Sequence, residues 1–314
     1  MVEMKKTGIS KPEFHRPTQN VVCALCGPDV SHREKFAERL PQEEISFSCR
    51  RAPNRIHYRV VECEKCRLVF SNPIYHESQI IAGYQNAEYI QEEQTSHYLV
   101  AYREELTRVL DLAGKVGSLL EIGCGDGYFL RVAKDMGIPR VCGVEPMKSA
   151  IEKADDDLRP LIHYGAFHEG LYEENSFDIV CMFQVVDHVV DPVDILNNVA
   201  RVLKPGGHIL IITHDVKSWQ PRLLGERSPI FDVHHIFLWD LDTIRGLIEK
   251  VGLHHVFCRR IRVQYGLAYF VRMLPLPMRL RLSLIGVLER IGMANIAFRL
   301  GGCNMVAVGR KAAE

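Results

Sequence analysis

Two acids, Glu121 and Asp126, flank three glycines at alternate positions, Gly123, Gly125 and Gly127, in the stretch LLEIGCGDGYFL from Leu119 to Leu130. Glycines so placed let backbone adopt φ > 0 and pass close to a ligand. The helix start that follows offers N–H groups with no partner inside the helix. The spacing is G-x-G-x-G, whereas a dinucleotide site would show G-x-G-x-x-G and a phosphate loop G-K-[ST]. Carboxylates on both sides would repel a pyrophosphate but suit an ammonium or a sulfonium. Glu145, about 20 residues downstream, ends a second apolar run, where a carboxylate can take both hydroxyls of a ribose. The set suits a cationic nucleoside.

A second constellation is made of sulfur. Cys23 and Cys26 form one C-x-x-C knuckle, and Cys63 and Cys66 form another roughly 36 residues later. Each knuckle points two thiolates at one ion, and two knuckles complete a tetrahedral four-cysteine zinc site. Such a site has no open coordination position, so its expected role is structural. His32, His57 and Cys49 are the alternative ligands. The arginines of this segment (33, 39, 50, 51, 55 and 59) are interspersed with acids, as on a solvated mixed surface.

Histidines supply the third. Phe231 to Asp240, FDVHHIFLWD, holds His234 and His235, while His188 and His214 each follow an apolar run. An imidazole is suited to removing a proton near neutral pH.

The elements that must position these groups alternate strand and helix. Strands are expected at 119–122, 141–144, 161–164, 176–183, 208–213, 254–259 and 304–310. Asp191 with Pro192, and Asp240, are expected helix starts, and Gly252 a stop. An amphipathic helix over 96–112 leads into the first strand. Tyrosines near it pack, and Tyr84 and Tyr89 are best placed to close over a ligand at the glycine loop.

The pattern F-D-I-V…V-V-D-H-V…D-P…L-K-P-G-G, with the glycine loop and Glu145, resembles the class I S-adenosylmethionine-dependent methyltransferases. With the cysteine knuckles and the Ser-Asn-Pro turn at 71–73 it is similar to bacterial sugar C-methyltransferases and surface-glycan pathway methyltransferases. The resemblance covers about residues 20 to 260. It implies an α/β, Rossmann-like seven-stranded sheet whose last strand is antiparallel. It also implies S-adenosyl-L-methionine as cofactor, with Gly123 and Gly125 against its methionine part and Glu145 on the ribose. The backbone at Ala166 and Phe167 would meet the adenine, and Gln184 would lie near the sulfonium. His235 falls where the sugar enzymes carry a catalytic histidine, in a variant of E-H-x-x-x-F-S, and His214 is the next candidate base. This chain has no acid after the third strand, Asp187 in place of the usual Glu, and Thr213-His214-Asp215 in place of Thr-Pro-Asn.

Composition bounds the rest. The 314 residues carry 39 Lys+Arg against 39 Asp+Glu, which argues against an affinity built on phosphate neutralisation, so nucleic acid is not the expected partner. The expected acceptor is a small molecule, a sugar or glycan. The alternatives are an RNA methyltransferase that grips nucleic acid through the zinc module and a non-catalytic cofactor-binding protein. Ten cysteines without an export signal indicate the cytoplasm. The expected organisation is a flexible N-terminus (1–20), a small zinc-binding module (21–74), linking helices (75–115) and the methyltransferase domain (116–314), with a helical insertion at 260–303. Within the insertion, 270–291 is basic and apolar, a lid, an interface or a peripheral membrane contact. Pro275 and Pro277 favour a helix start near Met278.

Overall fold

The apolar runs at 119–122 and 177–183 are buried along almost their whole length, as strands covered on both faces by helices must be. The structure, a computed structural model, describes residues 18–41, 55–89, 94–274 and 276–313. The expected flexible tail therefore lies largely outside the described residues, as do Cys49 and two arginines of the front segment.

That front segment holds β1 (Thr18–Gln19), β2 (His32–Phe36), β3 (Val60–Cys63), β4 (Val69–Ser71) and β5 (Ile74–Tyr75). Helices α1 (Glu77–Gln85) and α2 (Gln94–Ala113) follow. Then come β6 (Ser118–Ile122), α3 (Tyr128–Asp135), β7 (Arg140–Glu145), α4 (Lys148–Ile151), β8 (Ile162–Tyr164), β9 (Phe177–Phe183), α5 (Pro192–Val202) and β10 (Leu203–His214). The chain continues through α6 (Trp219–Leu224), β11 (Phe237–Leu238), α7 (Leu241–Lys250), β12 (His254–Gly266), α8 (Leu267–Met273), α9 (Met278–Arg290) and β13 (Ala297–Arg310).

Seven strands form the large sheet in the order β12-β13-β10-β9-β6-β7-β8. β8, β7, β6, β9 and β10 run parallel, and β13 is antiparallel to both of its neighbours. The order reverses beside β6, so the carboxyl ends of β6, β7 and β9 open the crevice in which such sheets take ligands. Two helix starts obey local chemistry. The Asp191 side chain accepts from the N–H groups of Val193 and Asp194, with Pro192 in the first turn, and Asp240 accepts from Asp242 and Thr243.

The front segment does not close its own sheet. β11 pairs antiparallel with β4, giving the order β11-β4-β3-β2. The register is carried by an aromatic ladder: Phe70 stacks on Phe237 at 5.9 Å and Phe237 on the fully buried Trp239 at 5.6 Å. Each such ring contributes about 1.5–3 kcal/mol by burial, which fixes the knuckles to the large domain. β12 and β13 pair as far as Gly266 and Ala297, so the non-strand part of the insertion is 267–296. α9 starts at Met278, as the prolines predict.

Candidate functional site

The turn after β6 is held by backbone before any side chain acts. The N–H groups of Gly123 and Cys124 both donate to the Val144 carbonyl at the end of β7, at 2.8 and 3.2 Å. All three glycines have positive φ, between 58° and 78°. A Cβ on Gly123 would stand 2.5 Å from Val185 Cγ2, so that position admits only glycine. Gly127 caps α3 in the left-handed conformation.

Three carboxyl groups gather at this turn, and all are buried. Glu145 accepts from the Gly125 and Met147 N–H groups, each at 2.8 Å. Burial pushes its carboxyl up to about 7, against the pull of those two donors. Glu121 is raised well above the carboxylate range by burial and by the charges of Glu145 and Asp126, and its Oε2 has no hydrogen-bond partner among the described residues. Three desolvated acids, with the Glu121 oxygen unmatched, are a site short of positive charge. A ligand carrying a sulfonium and an ammonium supplies it.

Tyr89 lies over this turn, its ring 3.6–3.9 Å from where a Gly125 Cβ would sit. Its N–H donates to Ser149 Oγ, and Ser149 donates in turn to the Ala87 carbonyl. Ala166 is exposed and Phe167 is buried in the loop after β8. Gln184 follows β9 with φ +54°. Its Nε2 donates to Asn304 Oδ1 at 2.9 Å, and Asn304 Nδ2 donates to the Tyr265 hydroxyl at 3.2 Å.

On the β10 side of the crevice the four histidines come together. Asp187, 2 % exposed, is the hub of three of them, His188, His214 and His235. Its Oδ2 accepts from His214 Nδ1 at 3.1 Å and lies 3.6 Å from His235 Nε2, and its Oδ1 is 3.8 Å from His188 Nε2. His235 Nδ1 faces the Ile230 carbonyl at 2.9 Å and Asp232 Oδ1 at 3.1 Å, so that nitrogen carries a proton. Asp232 also accepts the backbone N–H groups of His234 and His235, which fixes the turn. Burial opposes charge on His235, yet Asp232 and then Asp187 outweigh it and raise its pKa to about 9. His188 is lowered to about 4 by burial, with His235 and His234 adding to the effect and Asp187 resisting it. The Tyr84 hydroxyl lies 2.8 Å from His188 Nδ1 and 3.5 Å from His234 Nδ1.

The two tyrosines thus part company: Tyr89 goes to the glycine turn, Tyr84 to the histidines. Asp232 was not among the expected site residues. Its signal, an acid three residues before a histidine in a tight turn, is local but common.

At the front, Cys23, Cys26, Cys63 and Cys66 place their sulfurs within 4.8 Å of one another. Cys23 and Cys66 are 3.4 Å apart, too far for a disulfide. Burial pushes the Cys23 thiol up to about 11 and Cys66 further. Four converging thiols at knuckle spacing match the donor set of a structural zinc. Several of the basic residues around them are paired: Arg33, Lys35 and Arg67 with Glu62, and Arg59 with Glu34.

A family described as a methyltransferase domain matches residues 93–256. An uncharacterized methyltransferase of Schizosaccharomyces pombe is 32% identical over 126 residues, 36% of this chain and 45% of that protein. A ubiquinone biosynthesis O-methyltransferase of Aliivibrio fischeri is 29% identical over 114 residues, 34% of this chain and 49% of the relative. A tRNA U34 carboxymethyltransferase of Idiomarina loihiensis is 30% identical over 155 residues, 46% of this chain and 47% of the relative. The chain spans about half the length of these curated relatives. The Bacillus YcgJ crystal structure is similar, with 18% identity and a TM-score of 0.49, covering 67% of this chain and 99% of that one. With a tRNA-modifying relative among them, the expectation that nucleic acid is not a partner has no support from the comparisons.

Proposed function

Because the chain belongs to the family of methyltransferase domains, we propose that it methylates a small-molecule acceptor, a sugar or a glycan or lipid-linked intermediate, on oxygen or carbon. The donor is S-adenosylmethionine, which brings an electrophilic methyl group on a cationic sulfur. One observation carries this reading. A glycine turn lined by three buried acids, Glu121 among them with an unmatched oxygen, shares a crevice with a histidine held between two carboxylates.

In this reading Glu121 and Asp126 supply the negative field for the donor's cationic groups. Glu145 has lone pairs left after its two backbone bonds, and these take the ribose hydroxyls. Gly123 and Gly125 give the close approach, and Tyr89 excludes water above the turn. Gln184, tied to Asn304, marks the boundary with the acceptor side. His235, its Nδ1 proton fixed by Asp232 and Ile230, offers Nε2 to the acceptor's proton. Asp187 stabilises the resulting imidazolium and orients His214, the second candidate base. Most of the rate comes from alignment, since methyl transfer is an in-line displacement.

The test is the release of S-adenosylhomocysteine with separate panels of sugar nucleotides, lipid-linked saccharides and transfer RNA. Turnover with either of the first two panels supports the reading, and turnover confined to RNA overturns it.

Donor binding has a proton signature. Glu145, pushed up to about 7 by burial, is roughly half protonated at neutral pH. A bound cation favours the ionised forms of Glu145 and of Glu121, which is raised well above the carboxylate range, so binding at pH 7 is expected to release protons. Calorimetry in buffers of different ionisation enthalpy measures this; proton uptake would count against the assignment.

The four cysteines hold one structural zinc in this reading. Cys63→Ser is expected to reduce bound zinc well below one per chain and to lower the melting temperature by on the order of 10 °C. Metal analysis with a thermal melt reports both. Unchanged metal content would contradict the site.

A further inference from the structure

The segment between β12 and β13 carries eight of the fourteen exposed large apolar side chains among the described residues, which is too dense for chance scatter over the surface. On α9 and its C-cap, Leu280, Leu284, Val287 and Ile291 follow 4-3-4 spacing and form one exposed stripe. Leu282, 61% exposed, adds an apolar side chain on the far side of the helix. The helix is held from another side by buried Arg281, whose guanidinium donates to the Arg272 carbonyl on α8.

Charge tells what the stripe meets. From 267 to 299 the only acid is Glu289, whereas Arg272, Arg279 and Arg290 are exposed. Arg279 and Arg290 have no ion-pair partner among the described residues. A second element lies against the outer half of β13: Trp219 of α6 donates its indole N–H to the Gly301 carbonyl. Beside it on α6 are Arg222 and Leu223, the latter 75% exposed. Leucines flanked by arginines, with an exposed tryptophan nearby, match the chemistry of the bilayer interface. No helix among the described residues is long and apolar enough to cross a membrane. A second copy on this face would bring Arg279 and Arg290 against their equivalents, with one Glu289 per chain to offset them.

We propose that α9 and the exposed face of α6 dock on the surface of a bilayer containing anionic lipid. The segment is rooted at the crevice, for Tyr265, just before α8, takes the hydrogen bond of Asn304, which holds Gln184. A docked chain presents the histidine cluster to an acceptor resident in the membrane. That consequence rests on the acceptor reading above; the docking itself does not.

Cosedimentation of the full chain with vesicles tests it. Binding is expected to vesicles of equimolar phosphatidylglycerol and phosphatidylcholine at low salt, and to be weaker by tenfold or more at high salt or with phosphatidylcholine alone. The double substitution Arg279→Gln/Arg290→Gln is expected to weaken binding about 25-fold, about fivefold per arginine. Leu284→Ser/Val287→Ser is expected to weaken it at least tenfold. Calorimetric affinity for S-adenosylmethionine, unchanged in both variants, separates lost docking from lost fold or lost donor site. Wild-type chain left in the supernatant with anionic vesicles at low salt overturns the proposal. So does a dimer in sedimentation velocity that Leu284→Ser/Val287→Ser abolishes, because a second copy is then the occupant.

Discussion

Gly125→Arg is expected to lower the affinity for S-adenosylmethionine by more than a hundredfold, about 2.7 kcal/mol, while the chain stays folded. Gly125 has φ +58°, so any other residue there costs roughly 1–2 kcal/mol of backbone strain. A Cβ itself meets only the Tyr89 ring at ordinary contact distance, so the fold absorbs the change and the melting temperature falls by a few degrees. What the fold absorbs, the ligand cannot. The guanidinium reaches the acids that the donor's cation would occupy and fills the space its methionine part needs. The Gly125 N–H that donates to Glu145 is also displaced by the strain, so the group assigned to the ribose loses its anchor. Calorimetry and a thermal melt on the same sample separate the two effects. An affinity within threefold of wild type would put the donor elsewhere.

The second large effect belongs to the base. His235→Gln is expected to lower turnover by about 10²–10⁴-fold with donor affinity unchanged. The pH profile adds a sharper constraint. A base must be neutral to accept a proton, and Asp232 and Asp187 against burial hold His235 protonated up to about 9. The rate should therefore climb about tenfold per pH unit below that value and level off above it. Asp232→Asn removes the largest charge that favours the protonated ring, so the rising limb moves to lower pH even as the maximum falls. Asp187, His188 and His214 also face His235, and none of them reverses that sign while Asp187 remains ionised. A profile unmoved by Asp232→Asn but lost in His214→Gln would shift the role to His214.

How much of this was legible in the residues depends on the range of the interaction. The glycine turn, the Asp191 and Asp240 helix starts and the start of α9 after two prolines are local, and local chemistry specified them. The α/β alternation was legible along the chain, and the family resemblance implied seven strands with the last antiparallel; the strand order itself came with the structure. Pairings between distant segments were not legible. β11 is two residues long, too short for a periodic signal, and only its partner β4 makes it a strand. The extra reach of β12 and β13 is hidden because each is the other's main support and their outer halves are only partly covered. In the site, the identity of the histidines was visible but their hub was not. Asp187 stood out only as a departure from the family's glutamate. Its burial among three imidazoles is a property of loops from β9, β10 and the turn before β11 meeting in space.

The central claim is that the acidic glycine turn binds S-adenosylmethionine, and a calorimetric titration of the wild-type chain tests it most directly. The expected result is one site per chain, with protons released at pH 7. A flat titration, with no shift of the melting temperature at saturating donor, would contradict it.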